Sequence, residues 1–295
     1  MARSIKDYSQ KYFVWILFGL ILLLSVLAIL WPSSSQSTHD SFRPGDVGFS
    51  YKTPQGEVWV YGDSWHNNKF IRNAITLNGQ YIGSFKSPAA GTWIWPGPIY
   101  RRPDGRLGMY GSQTTQAKPG MWGTKRLGSV QIAFKTNNIA GANIKLSGKN
   151  NAWTSASLNT GNKTFVYGVD GSNKAQVASI NQGGNAVFQR IMGGWISGRF
   201  SVIQDRQRKW WMVGFLPWLS RRLVAYPLDG PAGRVTGPYR LLKTMPDPAA
   251  GLFVYDGLIH PELGGMLTWA MNGKNVGSKY GLYRIQDFWI NNQAR

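Results

Sequence analysis

Beyond residue 42 the apolar positions of this chain come in short bursts without helical spacing: EVWVYGDSW (57–65), RLGMYGSQT (106–114), KTFVYGVDG (163–171), KWWMVGFLP (209–217) and GMLTWAMNG (265–273). Apolar runs of this length, punctuated by turn dipeptides such as Asp104-Gly105, Asp170-Gly171 and Asp229-Gly230, read as β-strands. The 36 glycines and 15 prolines break up anything longer. The pattern predicts an all-β domain.

The five bursts also form a repeat. Tyr61, Tyr110, Tyr167, Val213 and Trp269 hold equivalent places at spacings of 49, 57, 46 and 56 residues, close to the ~40 to 50 residues of one four-stranded propeller blade. The expectation is a five-bladed β-propeller over residues 44–295, with a two-sheet sandwich as the alternative. Gly62, Gly111, Gly168 and Gly214 each follow a marker, as close backbone approach near a crowded axis would require. A propeller matters for function because side chains distant in sequence converge on one central pocket.

One stretch breaks the β pattern. FVWILFGLILLLSVLAILW, residues 13–31, contains 19 residues without a charge and at 1.5 Å rise per residue spans roughly 30 Å of hydrocarbon. It predicts a transmembrane helix. Arg3, Lys6 and Lys11 precede it and no further Lys or Arg follows until Arg43, which places the N-terminus in the cytoplasm. A cleavable signal peptide is the alternative, but the apolar run continues through Ile29, Leu30 and Trp31 past the weak small-residue site at Ala28. The expected order is a cytoplasmic stub (1–12), a transmembrane anchor (13–31), a polar linker (32–43) and an extracytoplasmic propeller (44–295).

Charge adds a partner. The chain carries 33 Lys and Arg against 13 Asp and Glu, a net +20, and such an excess calls for a polyanionic neighbour. Outside a membrane that neighbour is an anionic lipid or surface polymer rather than nucleic acid. Trp210, Trp211 and Trp218, among Arg206, Arg208, Lys209, Arg221 and Arg222, read as a candidate membrane-interface patch. The absence of cysteine removes disulfides, thiolate metal sites and a nucleophilic Cys, and three histidines are too few to suggest a zinc enzyme. No cofactor is expected. Phosphate-binding loops and Ser-His-Asp spacing are missing too, which disfavours nucleotide and protease chemistry.

With so few acids, elimination is informative. Asp104, Asp170, Asp205 and Asp229 sit in predicted turns, Asp247 lies between prolines, and Asp7 and Asp40 flank the apolar run. Asp46, Glu57, Asp63, Asp256, Glu262 and Asp287 remain. Glu57 opens the outgoing arm of a hairpin, whereas Asp46 and Asp63 lie on opposite arms, away from the turn, where they can reach one rim. Two carboxylates at one pocket can share glycosidic cleavage, one protonating the leaving oxygen and the other attacking or activating water. Spacing alone leaves a strand-end capping role equally open. Trp65, Trp93, Trp95 and Trp122 offer flat faces for stacking on sugar rings.

Gly45-Asp46, WVYGDSW, Arg72-Asn73-Ala74 and YDGLIHPELGGMLTWAMN (255–272) together resemble a group of five-bladed propeller proteins related to glycoside hydrolases, which includes bacterial enzymes that cut D-arabinan of cell-wall polysaccharide. The resemblance covers residues 44 to 290. It implies that Asp46 and Asp63 are the acid and the base or nucleophile, with Arg72, Asn73, His260 and Glu262 around the pocket. Trp65, His66 and Trp95 complete the candidate substrate contacts. Pro98 departs from the family pattern, which carries an acid near this place. The expected function is that of a membrane-anchored, extracytoplasmic glycoside hydrolase-like protein acting on cell-wall or surface polysaccharide, an arabinan-like glycan among the candidates. The alternative is a non-catalytic propeller that binds an anionic wall glycan or a surface complex.

Overall fold

A computed structural model describes residues 42–46, 48–119, 123–148, 153–245, 252–263, 265–273 and 279–284. The expected anchor at 13–31, the stub before it and linker residues 32–41 lie outside the described residues, as does Trp122. Among the described residues no helix is long and apolar enough to cross a membrane.

The first sheet starts with β1 (Gly48–Thr53) and β2 (Gly56–Tyr61). The chain then makes a small hairpin, β3 (Ser64–His66) with β4 (Lys69–Ile71), before β5 (Ala74–Leu77) and β6 (Gln80–Gly83) complete the order β1-β2-β5-β6. Three more antiparallel four-stranded sheets follow in simple meanders. They are β7 (Thr92–Arg101), β8 (Leu107–Gln116), β9 (Thr124–Lys135) and β10 (Asn138–Gly148); then β11 (Ala156–Thr160), β12 (Lys163–Val169), β13 (Lys174–Ile180) and β14 (Ala186–Trp195); then β15 (Phe200–Gln204), β16 (Trp210–Phe215), β17 (Arg222–Leu228) and β18 (Arg240–Thr244). A three-stranded sheet of β19 (Leu252–His260), β20 (Met266–Gly273) and β21 (Lys279–Arg284) comes last.

The first strand of each sheet packs against its neighbours' first strands: β7 against β1 and β11, β15 against β11 and β19, and β19 back against β1. This is an all-β propeller, not a sandwich. Its apolar core is divided into layers between adjacent sheets, with one cluster joining Val58, Val60 and Ile75 to Met109 and Ile132, and another joining Tyr167 and Val177 to Phe200 and Met212. Burying both faces of each sheet in this way explains why the central strands read as nearly continuous apolar runs rather than as alternating ones.

All five sequence markers fall on the second strand of their sheets. The expectation of five four-stranded blades is nonetheless corrected: four blades are complete, and the fifth sheet has three strands among the described residues. A marker on a second strand registers that a sheet exists and is blind to the number of strands outside it.

Candidate active site

The β1–β2 hairpin runs in register from Thr53↔Gly56 to Gly48↔Tyr61. Beyond that pair the Gly62 amide donates to the Asp46 carbonyl at 2.6 Å. Two glycines make this approach feasible. A Cβ on Gly62 would stand 3.2 Å from the Asp46 Cβ, and one on Gly45 only 2.0 Å from the Asp63 carbonyl oxygen. The Gly45-Asp46 and Gly62-Asp63 dipeptides therefore lie against each other at the open end of the hairpin.

Asp46 and Gly62 line a cavity of about 220 Å³ at one end of the propeller axis, together with Trp95, Arg199, Tyr255 and Asp256. Tyr255 donates its hydroxyl to Asp46 Oδ1 at 2.5 Å. Asp63, at the rim, accepts from Trp95 Nε1 at 3.2 Å and pairs with Arg72 Nη1 at 3.3 Å. The Arg72 guanidinium in turn lies over Trp93 and Phe70, 4.2 and 4.8 Å from their ring centres. Asp256 enters from β19, where the register slips between Tyr255 and Leu258 and the Asp256 backbone turns to a φ of 53°. Bulges of this kind re-aim side chains beside functional sites, and Asp tolerates the left-handed region better than most residues. Arg199 is anchored by bonds to the carbonyls of Thr154 and Pro96.

Burial raises all three carboxyls. The Asp46 carboxyl is pushed up to about 7 by desolvation and then by the negative charge of Asp256, with the Tyr255 hydrogen bond and Arg199 pulling the other way and Asp63 adding a further push. Asp256 is raised by desolvation against the pull of Arg199. Asp63 is raised by desolvation against its bonds to Trp95 and Arg72. Two acids this close to one another ionise as a unit, so Asp46 and Asp256 together retain a proton where an isolated Asp would have lost it. Asp63, with an arginine and an indole donor, is the carboxylate of the three best suited to carry charge. Among the described residues no group of three or more acidic, His or Cys side chains is arranged to hold a metal ion.

The structure brings Asp46, Asp63, Trp95 and Arg72 together. Trp65 and His66 sit on the β3–β4 hairpin next to them, Trp65 edge-on to Phe70 and His66 stacked on Tyr81 at 4.0 Å. Asn73 is buried, and its amide bonds the Phe85 and Ile94 carbonyls and accepts from the Phe85 amide at 2.7 Å. It ties strands together rather than facing the cavity. His260 is not near the carboxylates. It is buried, bonded to Ser50 Oγ at 2.5 Å and Thr268 Oγ1 at 2.8 Å, and lines a separate axial cavity of about 350 Å³ together with Ser50, Pro98 and Ser157. Ser50 stands four residues along the chain from Asp46, roughly 13 Å at ~3.3 Å per residue. Glu262 follows in the short 3₁₀ turn Pro261–Leu263, beyond His260, and its side chain lies outside the described residues.

Sequence reasoning missed Tyr255 and Arg199 and, although it kept Asp256 among the unexplained acids, gave it no place at the pocket. Asp256 left a signal, an acid inside the apolar strand FVYDGLIH that no turn beyond the strand explained; Arg199 left none. The elimination of turn acids matches the contacts: Oδ1 of Asp104, Asp170, Asp205 and Asp229 each accepts a backbone amide of its own turn. In the candidate membrane patch, Trp211 is buried and bonded to Asp205, while Trp218 is 81% exposed.

Comparison with solved structures shows what kind of scaffold this is. A protein of Bacteroides ovatus proposed to be a hydrolase superposes with a TM-score of 0.55 at 16% identity, over 78% of this chain and 79% of its own. An α-L-arabinofuranosidase of Podospora anserina, in complex with cellotriose, gives 0.51 at 8% identity over 85% and 92%. A GH43_1 enzyme of Xanthomonas citri complexed with xylotriose gives 0.50 at 11% over 82% and 87%. No protein-family model matches the sequence, and no curated protein matches it. At these identities the likeness is one of fold: the chain is a β-propeller, like these structures.

Proposed function

We propose that this protein is a glycoside hydrolase of the cell surface, held to the membrane by residues 13–31 with its propeller outside, and that it cleaves wall or surface polysaccharide with Asp46 and Asp63. The observation that carries the reading is the meeting of two differently placed carboxylates at the mouth of the axial cavity. Asp46, kept protonated near neutral pH by burial and Asp256, delivers a proton to the glycosidic oxygen. Asp63, oriented by Trp95 and Arg72, either attacks the anomeric carbon or takes a proton from the attacking water. Arg199 limits the negative charge that three neighbouring acids would otherwise accumulate. The third carboxylate comes from the fifth sheet as Asp256, so Pro98 in the second sheet does not leave the cavity one acid short.

The substrate class is supported by the resemblance in the sequence and by the half-buried Trp65, Trp93, Trp95 and Arg72 beside the carboxylates, with an arabinan-like glycan among the candidates. Release of soluble sugar from purified wall glycans, arabinan included, is the decisive assay. The wild-type chain should release sugar, and Asp46→Asn and Asp63→Asn chains of verified folding should not. Equal release by either variant removes the pair from the mechanism.

A further inference from the structure

A third, basic cavity lies between the second and third sheets, towards the end of the molecule opposite Asp46. β7 runs from Trp95 at the active cavity to Arg101, and the turn that follows it supplies two walls. The cavity measures about 120 Å³ and is lined by Arg102, Arg106, Gln131, Asn143, Lys145 and Asn185, well above the ~10 to 15 Å³ that one water requires. Strand register explains the grouping. Asn143 pairs with Ala133 and Lys145 with Gln131 across β9 and β10, so these side chains share one face, turned towards the loop that joins β13 to β14. By contrast, the described core clusters between adjacent sheets are apolar.

The donors here are already sorted by task. Arg102 is largely buried and bridges the two sheets, donating to the Gly183 and Gly184 carbonyls, while its Nε donates to Asp104 at 3.1 Å. Arg106 gives Nε and Nη2 to the same carboxylate. Both arginines thus share the one carboxylate of Asp104, while Lys145 adds a third cation to the lining. A planar carboxylate is best met by a free fork. What remains is a set of single donors from different directions: the outer edge of Arg106, the exposed Lys145 ammonium, and the amides of Asn143 and Asn185. That arrangement suits an ion whose oxygens point several ways.

We infer that this cavity binds a tetrahedral oxyanion, a phosphate group either free or carried as a phosphodiester in a surface polymer. The net charge of +20 draws such polymers to the molecule, and the cavity gives one of their charged groups a defined seat away from the carboxylates. The inference does not depend on the catalytic reading.

Calorimetric titration of the full chain with inorganic phosphate at low salt tests it, beside Lys145→Gln and Asp46→Asn chains. Saturable binding is expected, weakened about fivefold by Lys145→Gln, the scale of one contact between unit charges in water. It should weaken further as salt rises and be unaffected by Asp46→Asn. Poly(glycerol phosphate) should bind as well and be displaced by inorganic phosphate if the seat is the same. Absence of saturable phosphate binding, or polymer binding that neither phosphate nor Lys145→Gln reduces, overturns the inference.

Discussion

Replacing Asp46 with Asn should remove activity and, above neutral pH, stabilise the fold. The Asp46 carboxyl stands at about 7 against an ordinary 3.8, and at ~1.4 kcal/mol per pH unit the gap corresponds to about 4 kcal/mol. Asp256 shares the same proton, so roughly 2 to 4 kcal/mol belongs to Asp46. The sign follows from linkage. Below about pH 4 the carboxyl is protonated both folded and unfolded, and it contributes no penalty. Between pH 4 and 7 the unfolded chain releases the proton more readily than the folded one, so stability falls; above 7 the full cost of a buried negative charge is in place. Asn keeps an oxygen for the Tyr255 hydroxyl and never ionises. Thermal unfolding of wild type and Asp46→Asn at pH 4 and pH 8 is the assay. For a domain of this size ~1 kcal/mol shifts Tm by about 2 to 4 °C, so the variant should gain roughly 4 to 16 °C at pH 8 and little at pH 4. An equal shift at both pH values, or a loss at pH 8, would refute the reasoning.

Three further outcomes are expected. Asp256→Asn takes away the neighbouring charge that raises Asp46, so the alkaline limb of the pH–rate profile for glycan hydrolysis should move to lower pH; a profile that stays in place removes Asp256 from the site. Trp95→Phe keeps the ring and loses the Nε1 donor to Asp63. With a hydrogen bond to a charged group contributing ~1.5 to 3 kcal/mol, kcat/KM should fall about 10- to 100-fold while circular dichroism stays unchanged. Asn73→Ala orphans the buried Phe85 amide and Ile94 carbonyl, which should cost about 2 to 4 kcal/mol in urea unfolding with KM unaltered; a raised KM at wild-type stability would place Asn73 at the substrate instead.

The strands, their turns and the hairpin that carries Asp46 and Asp63 were legible in the sequence because each depends on residues within about one strand length of one another. Apolar runs mark the central strands. Asp-Gly dipeptides close the turns, and in Asp104, Asp170 and Asp229 the carboxylate bonds the very backbone it helps to bend. Gly45 and Gly62 let two dipeptides 17 residues apart touch, and even that contact is local to one hairpin. Ring closure is a different matter. It brings Tyr255 and Asp256 of the last sheet, and Arg199 of the fourth, against Asp46 of the first, contacts across some 150 to 210 residues that no spacing rule anticipates. The direction of the inner strands separated what the sequence had grouped: His260 travels with Ser50 down the axis, and the Glu262 backbone follows it, although both stand only a few residues after Asp256. Burial then decided the chemistry, because the same three aspartates in water would all be ionised at neutral pH, and only their burial by the closed ring keeps a proton among them.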